Sequence, residues 1–121
     1  MPIKNILIVD DSATDRQFLS DLLAKNGFTV TTANSADEAL AKAKSQKPDL
    51  VLMDVVMPGQ NGFQATRTLS KDEATKSIPI IICTSKGQDT DKNWGMKQGA
   101  RDYIVKPVSA PELLKKISAL G

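Results

Sequence analysis

Histidine is missing from all 121 residues, and cysteine, tyrosine and tryptophan occur once each. The first absence removes the commonest general base near neutral pH and any phosphohistidine donor from within the chain. A phosphoryl group used here would have to arrive from another molecule. A lone cysteine forbids an internal disulfide, and the place of Cys83 at the end of the apolar run PIIIC marks it as a buried, reduced thiol. A cytoplasmic location is the default expectation. Charge of one sign is lacking too: sixteen Lys and Arg against fourteen Asp and Glu leave a net charge of +2. That balance is too small to single out nucleic acid or a membrane surface as the main partner. No apolar run is long enough for a leader or a span, because MPIKNILIVDD meets charge too soon. No low-complexity segment or long linker interrupts the chain, and its length suits one domain over residues 1–121.

Short apolar runs alternating with amphipathic stretches are what the chain does have, the signature of repeated βα units around a parallel sheet. Strands are predicted near Asn5–Val9, Thr29–Thr32, Leu50–Met53, Ile80–Cys83 and Tyr103–Val105. The first, third and fourth are the most apolar and belong at the centre. Leu19, Leu22 and Leu23 make the apolar stripe of a first helix that Gly27 can end, since glycine accepts the left-handed conformation. Ser35 with Glu38, and Ser109 with Glu112, are capping-box patterns that open the second and last helices. Residues 62–69 and 90–98 read as the third and fourth, with Gly99 as a stop.

Four of these strands run into polar residues able to do phosphate chemistry: ILIV into Asp10 and Asp11, LVLM into Asp54, PIIIC into Thr84, and YIV into Lys106. In an open α/β sheet, ligands bind in the crevice beyond the carboxyl ends of the strands. Helix capping explains a single aspartate after the first strand but explains an adjacent pair poorly. With Asp54 nearby, three carboxylates repel one another unless a hard cation sits among them, and oxygen-only ligation suits Mg²⁺. Asp54 alone would read as a turn-initiating residue before a Pro-Gly turn. Beside a bound cation, its carboxylate becomes a competent nucleophile toward phosphorus. Thr84 then supplies a hydroxyl and Lys106 a mobile cation for the phosphoryl oxygens. The Lys106–Pro107 bond is open to both isomers.

These residues resemble, over the whole chain, the receiver domain of bacterial two-component response regulators, the CheY-like family. The resemblance implies a flavodoxin-like, doubly wound five-stranded parallel sheet of order 2-1-3-4-5 with five helices. It matches the acidic pair to Asp10 and Asp11, the phosphoacceptor to Asp54 before M-P-G-x-x-G, the switch hydroxyl to Thr84, the essential lysine to Lys106 and the aromatic switch residue to Tyr103. It also implies that the backbone carbonyl of Val56 completes the Mg²⁺ coordination. MDVVMPGQNGFQATR and DKNWGMKQGARDYIVKPV are similar, more particularly, to the stand-alone receivers of type IV pilus, or twitching-motility, chemosensory systems, with Phe63, Gln64, Thr66, Arg67, Trp94 and Gly95 as the distinguishing residues.

The implied activity is a phosphoryl switch rather than an enzyme's turnover. A CheA-like histidine kinase donates the phosphoryl group to Asp54, Thr84 is drawn toward it, and Tyr103 follows into the vacated space. The surface of the fourth helix, fifth strand and fifth helix changes in response. The expected output is contact with a downstream protein, such as a pilus motor or signalling protein, by a monomer. A phosphate sink that drains the kinase is the alternative. Val56 departs from the chemotaxis receivers, which carry a polar side chain there, so the lifetime of the acyl phosphate is open. A flavodoxin-like redox protein would share the fold, but the acids of DDSATD would repel a flavin phosphate. An aspartate-based phosphatase would carry a second acid where Val56 stands.

Overall fold

Near-continuous apolar runs in the central strands settle how the layers are assembled. The computed structural model describes residues 3–57 and 60–120. It contains β1 (Asn5–Val9), α1 (Ala13–Lys25), β2 (Thr29–Ala33), α2 (Ala36–Gln46), β3 (Leu50–Met53), β4 (Val56–Met57), β5 (Gln60–Asn61), α3 (Gly62–Lys71), β6 (Ile80–Thr84), α4 (Asp89–Lys97), β7 (Asp102–Val105) and α5 (Ala110–Leu120). Five strands form one parallel sheet in the order β2-β1-β3-β6-β7. This is the expected 2-1-3-4-5 arrangement, with β4 and β5 paired separately as a short antiparallel hairpin that the sequence reading did not foresee.

Successive side chains on a strand point to opposite faces, so each central strand feeds two cores. Leu7, Val9, Val51, Met53 and Ile80 pack with Ala36, Ala39 and Ala43 of α2 and with Ala65 and Leu69 of α3. Ile6, Ile8, Leu50, Leu52, Ile81, Cys83 and Ile104 pack on the other face with Leu19 and Leu23 of α1 and Leu113 and Ile117 of α5. Burying an isoleucine or leucine fully is worth about 1.5–3 kcal/mol. The concentration of such residues in β1, β3 and β6 therefore explains why these three strands sit inside. Leu22, placed in the α1 stripe, is only half-buried and packs at the edge of this core.

Local chemistry ends the helices largely where the residues predict. Ser12, Ser35 and Ser109 accept through their hydroxyls from the amides of Asp15, Glu38 and Glu112. Glu38 reaches back to the Asn34 amide, 2.7 Å, one residue earlier than a strict capping box requires. Gly27 and Gly99 adopt φ of +91° and +110° after α1 and α4. Helix α3 runs two residues beyond the predicted end, α4 lies one residue earlier at both ends, and β2, β6 and β7 each extend by one residue. No helix among the described residues is long and apolar enough to cross a membrane.

Candidate phosphoryl-transfer site

Strand register assembles the site. Val9 pairs with Met53, which puts Asp10 and Asp54 side by side one step further along. Thr84 pairs with Val105, so Lys106 emerges next to it. Backbone bonds carry the sheet into these residues: the Asp10 amide donates to the Ala33 carbonyl, Asp54 to Val9 and Lys106 to Thr84, at 3.1, 2.9 and 2.8 Å. Gly62, the first residue of α3, abuts this edge. A Cβ there would collide with the Asp54 carbonyl oxygen and come within 2.5 Å of Val55 Cα, so only glycine allows the helix so close.

The carboxylates divide their oxygens between the local turn and one shared cation. Asp10 Oδ1 accepts from the Ser12 amide and Asp54 Oδ1 from the Val56 amide, both at 2.9 Å. Lys106 Nζ donates to Asp10 Oδ2 at 2.6 Å, to Asp15 Oδ2 at 2.8 Å and to Asp54 Oδ2 at 3.1 Å. Asp10 and Asp54 are buried, while Asp11 is exposed. One oxygen from each of Asp10, Asp11 and Asp54 falls within 4.8 Å of the others. Thr84 is wholly buried, and its Oγ1 has no hydrogen-bond partner among the described residues. A buried hydroxyl left unpaired is costly, so its presence at this strand end points to a ligand that completes it.

Electrostatics reinforce the reading. Burial drives the Asp10 carboxyl above its ordinary value, against the hydrogen bonds from Lys106 and Ser12, and the charge of Asp54 adds to the rise. For Lys106, burial opposes the charged form, yet the bonds to Asp10, Asp15 and Asp54 outweigh it and hold the ammonium above its usual range. Acid remains in excess over base here. Arg16 is close by, but its guanidinium donates to the Asp10 backbone carbonyl rather than to a carboxylate. An oxygen-only donor set with surplus negative charge fits Mg²⁺; Asp10, Asp11 and Asp54 are the side chains that would hold it. Such an ion supplies charge neutralisation between the acids and an incoming phosphate.

Sequence reasoning placed Asp10, Asp11, Asp54, Thr84 and Lys106 at this edge, and the structure brings all five there. Val56 opens β4 two residues after Asp54 and is 43% exposed. The Lys106–Pro107 bond is cis, one of the two isomers the sequence left open. Asp15 was missed as a partner of Lys106; its signal was an acid in the first turn of α1, three residues after the Ser12 cap. Tyr103, expected as the aromatic switch residue, is 8% exposed, with its hydroxyl donating to the Lys86 carbonyl at 2.6 Å.

Residues 6–118 match the response regulator receiver domain. Protein PilH of Pseudomonas aeruginosa is 56% identical over 95% of this chain and 95% of its own. The phosphate regulon transcriptional regulatory protein PhoB of the same organism is 41% identical over 97% of this chain, which spans 51% of PhoB. Among solved structures, chemotaxis protein CheY4 of Vibrio cholerae superposes with a TM-score of 0.91 at 34% identity, covering 98% of this chain and 99% of that one. The chain belongs to the response regulator receiver domain family, and is therefore a CheY-like phosphoacceptor module of two-component signalling, similar to PilH.

Proposed function

We propose that residues 1–121 act as a single receiver whose Asp54 accepts a phosphoryl group from a phosphohistidine on a separate, CheA-like histidine kinase, in the control of type IV pilus twitching motility or chemotaxis. The observation that carries this reading is the gathering of Asp10, Asp11 and Asp54 at the carboxyl edge of the sheet, with Lys106 bonded to Asp10 and Asp54. The unpartnered Thr84 hydroxyl supports it. The similarity to PilH over nearly the whole of both chains supports the pathway.

An Asp54 carboxylate oxygen attacks phosphorus in line with the departing imidazole. The new P–O bond forms as the P–N bond breaks, and its electron pair leaves with the donor imidazole, which takes up a proton from solvent. Lys106 exchanges a carboxylate partner for a phosphoryl oxygen and offsets the charge that develops there. Mg²⁺ would be held by Asp10, Asp11 and Asp54 with the backbone carbonyl of Val56, and would neutralise charge between the acids and the incoming phosphate. The Thr84 hydroxyl then donates to the acyl phosphate, gaining the partner it lacks. The output is a changed surface around α4, β7 and α5 that docks on a downstream protein, such as a pilus motor or signalling protein.

The test is labelling. Incubation with acetyl phosphate, and separately with a kinase carrying labelled phosphohistidine, is expected to modify wild type and leave Asp54→Asn unlabelled. Undiminished uptake by Asp54→Asn would refute the assignment of the acceptor.

A further inference from the structure

Helix α4 contains a glycine in its interior, where alanine is ordinarily the more stable choice. Gly95 is buried, and the reason lies across the gap to the sheet. A Cβ at this position would meet Ile82 Cδ1 at 2.7 Å and Tyr103 Cε2 and Cδ2 at 3.1 and 3.2 Å. The same ring packs with Val55, Phe63 and Ala100, and its hydroxyl reaches the Lys86 carbonyl in the loop between β6 and α4. In the loop before α4, Gly87 also approaches β7 closely, with a Cβ there falling 2.9 Å from Val105 Cγ1. The segment from Lys86 to Gly95 is thus pressed onto β7 at two residues without side chains.

We propose that Gly95 is a positioning residue that sets the place of Tyr103: because it has no Cβ, α4 lies close enough to β7 for the ring to be buried beneath it. The inward ring is then a property of the packing between α4 and β7. This holds whatever donor or pathway the receiver serves, because it depends only on the contacts of Gly95, Ile82, Tyr103 and Lys86.

Tyr103 is the only tyrosine, so its chemistry can be followed without interference. Nitration at neutral pH with tetranitromethane, read by mass spectrometry, reports how far the ring is exposed. Far-ultraviolet circular dichroism and a thermal melt establish that each variant is folded. Wild type is expected to react slowly. Gly95→Ala is expected to speed nitration about tenfold, which corresponds to about 1.4 kcal/mol against the buried ring, and to fall short of the stabilisation that alanine normally gives a helix. Ile82→Val removes the Cδ1 atom nearest the new methyl group. The double variant Gly95→Ala/Ile82→Val is therefore expected to regain wild-type protection, and Ile82→Val alone to keep it. A folded Gly95→Ala protein with unchanged nitration overturns the proposal. So does a double variant that nitrates as fast as Gly95→Ala. Should Gly95→Ala fail to fold, the double variant decides: folding with a protected ring upholds the proposal, and failure to fold, or an exposed ring, overturns it.

Discussion

Replacing Lys106 by methionine keeps most of the side-chain stem and removes the one ammonium that three carboxylates share. The Lys106 side chain is 16% exposed, against 2% for Asp10 and 7% for Asp54, so both of these contacts lie largely out of water. At about 3 Å and an effective dielectric near 20, each is worth roughly 5 kcal/mol before the cost of removing the charges from solvent. That cost is recovered only for the ammonium when it is deleted, because the two acids stay buried. Breaking a buried pair from one side costs about 3–5 kcal/mol. Asp15, 44% exposed, adds no more than about 1 kcal/mol. Lys106→Met is therefore expected to lose about 3–5 kcal/mol in urea unfolding at neutral pH without metal. The sign with pH follows from the shifts. The raised folded-state value of Lys106 means that its stabilisation is complete below the ordinary lysine value of 10.5 and fades as pH climbs through the folded value. In the variant, Asp10, whose burial already raises its carboxyl, loses the lysine that opposed the rise and binds protons more readily folded than unfolded, so the variant's deficit should shrink as pH falls toward 4. Mg²⁺ should shrink it as well, by restoring positive charge among the acids. A loss below about 1 kcal/mol, or a deficit that stays constant between neutral pH and pH 4, would refute the shared-cation reasoning.

Three further outcomes are expected. Thr84→Ala should leave the unphosphorylated fold unharmed or more stable by about 1 kcal/mol, since it deletes a buried hydroxyl without a partner; it should still take phosphate, but gain less affinity for its target on phosphorylation, as read by titration against the same partner. Gly62→Ala should displace the Asp54–Val55 peptide and slow uptake from acetyl phosphate about a hundredfold, measured beside a melt that confirms folding. Burial pushes the Cys83 thiol up to about 12, so alkylation of the native protein should be far slower than in urea, and equal rates would contradict its burial.

What the sequence disclosed follows from where the information lies. Continuous apolar runs such as ILIV and PIIIC carry their own strand assignment, and their apolar content carries the central position, because burial on both faces leaves no room for polar residues. Residues just past those strands inherit their place from the ladder, so Asp10, Asp54, Thr84 and Lys106 were legible as a group. Asp15 was not, since its meeting with Lys106 depends on the angle at which α1 leaves the sheet, and no local pattern records that angle. The buried state of Tyr103 was hidden for the same reason: it depends on the space between Gly95 and Ile82, two residues on different elements. The hairpin of β4 and β5 pairs only two residues on each strand, too few for any periodicity to show.

The backbone bonds that extend the sheet into Asp10, Asp54 and Lys106 also govern how the site breathes. The Asp54 amide bridges β3 to β1, two inner strands, and its deuterium exchange must await separation of the core itself. Little local opening is available to the Asp54 backbone, which is held as long as β1 and β3 stay paired. Faster exchange is expected instead for the exposed amides from Ser85 to Gln88, which lie outside strand and helix. Exchange measured residue by residue should divide the protein along that line, with a slow chemical floor and a quick, communicative rim.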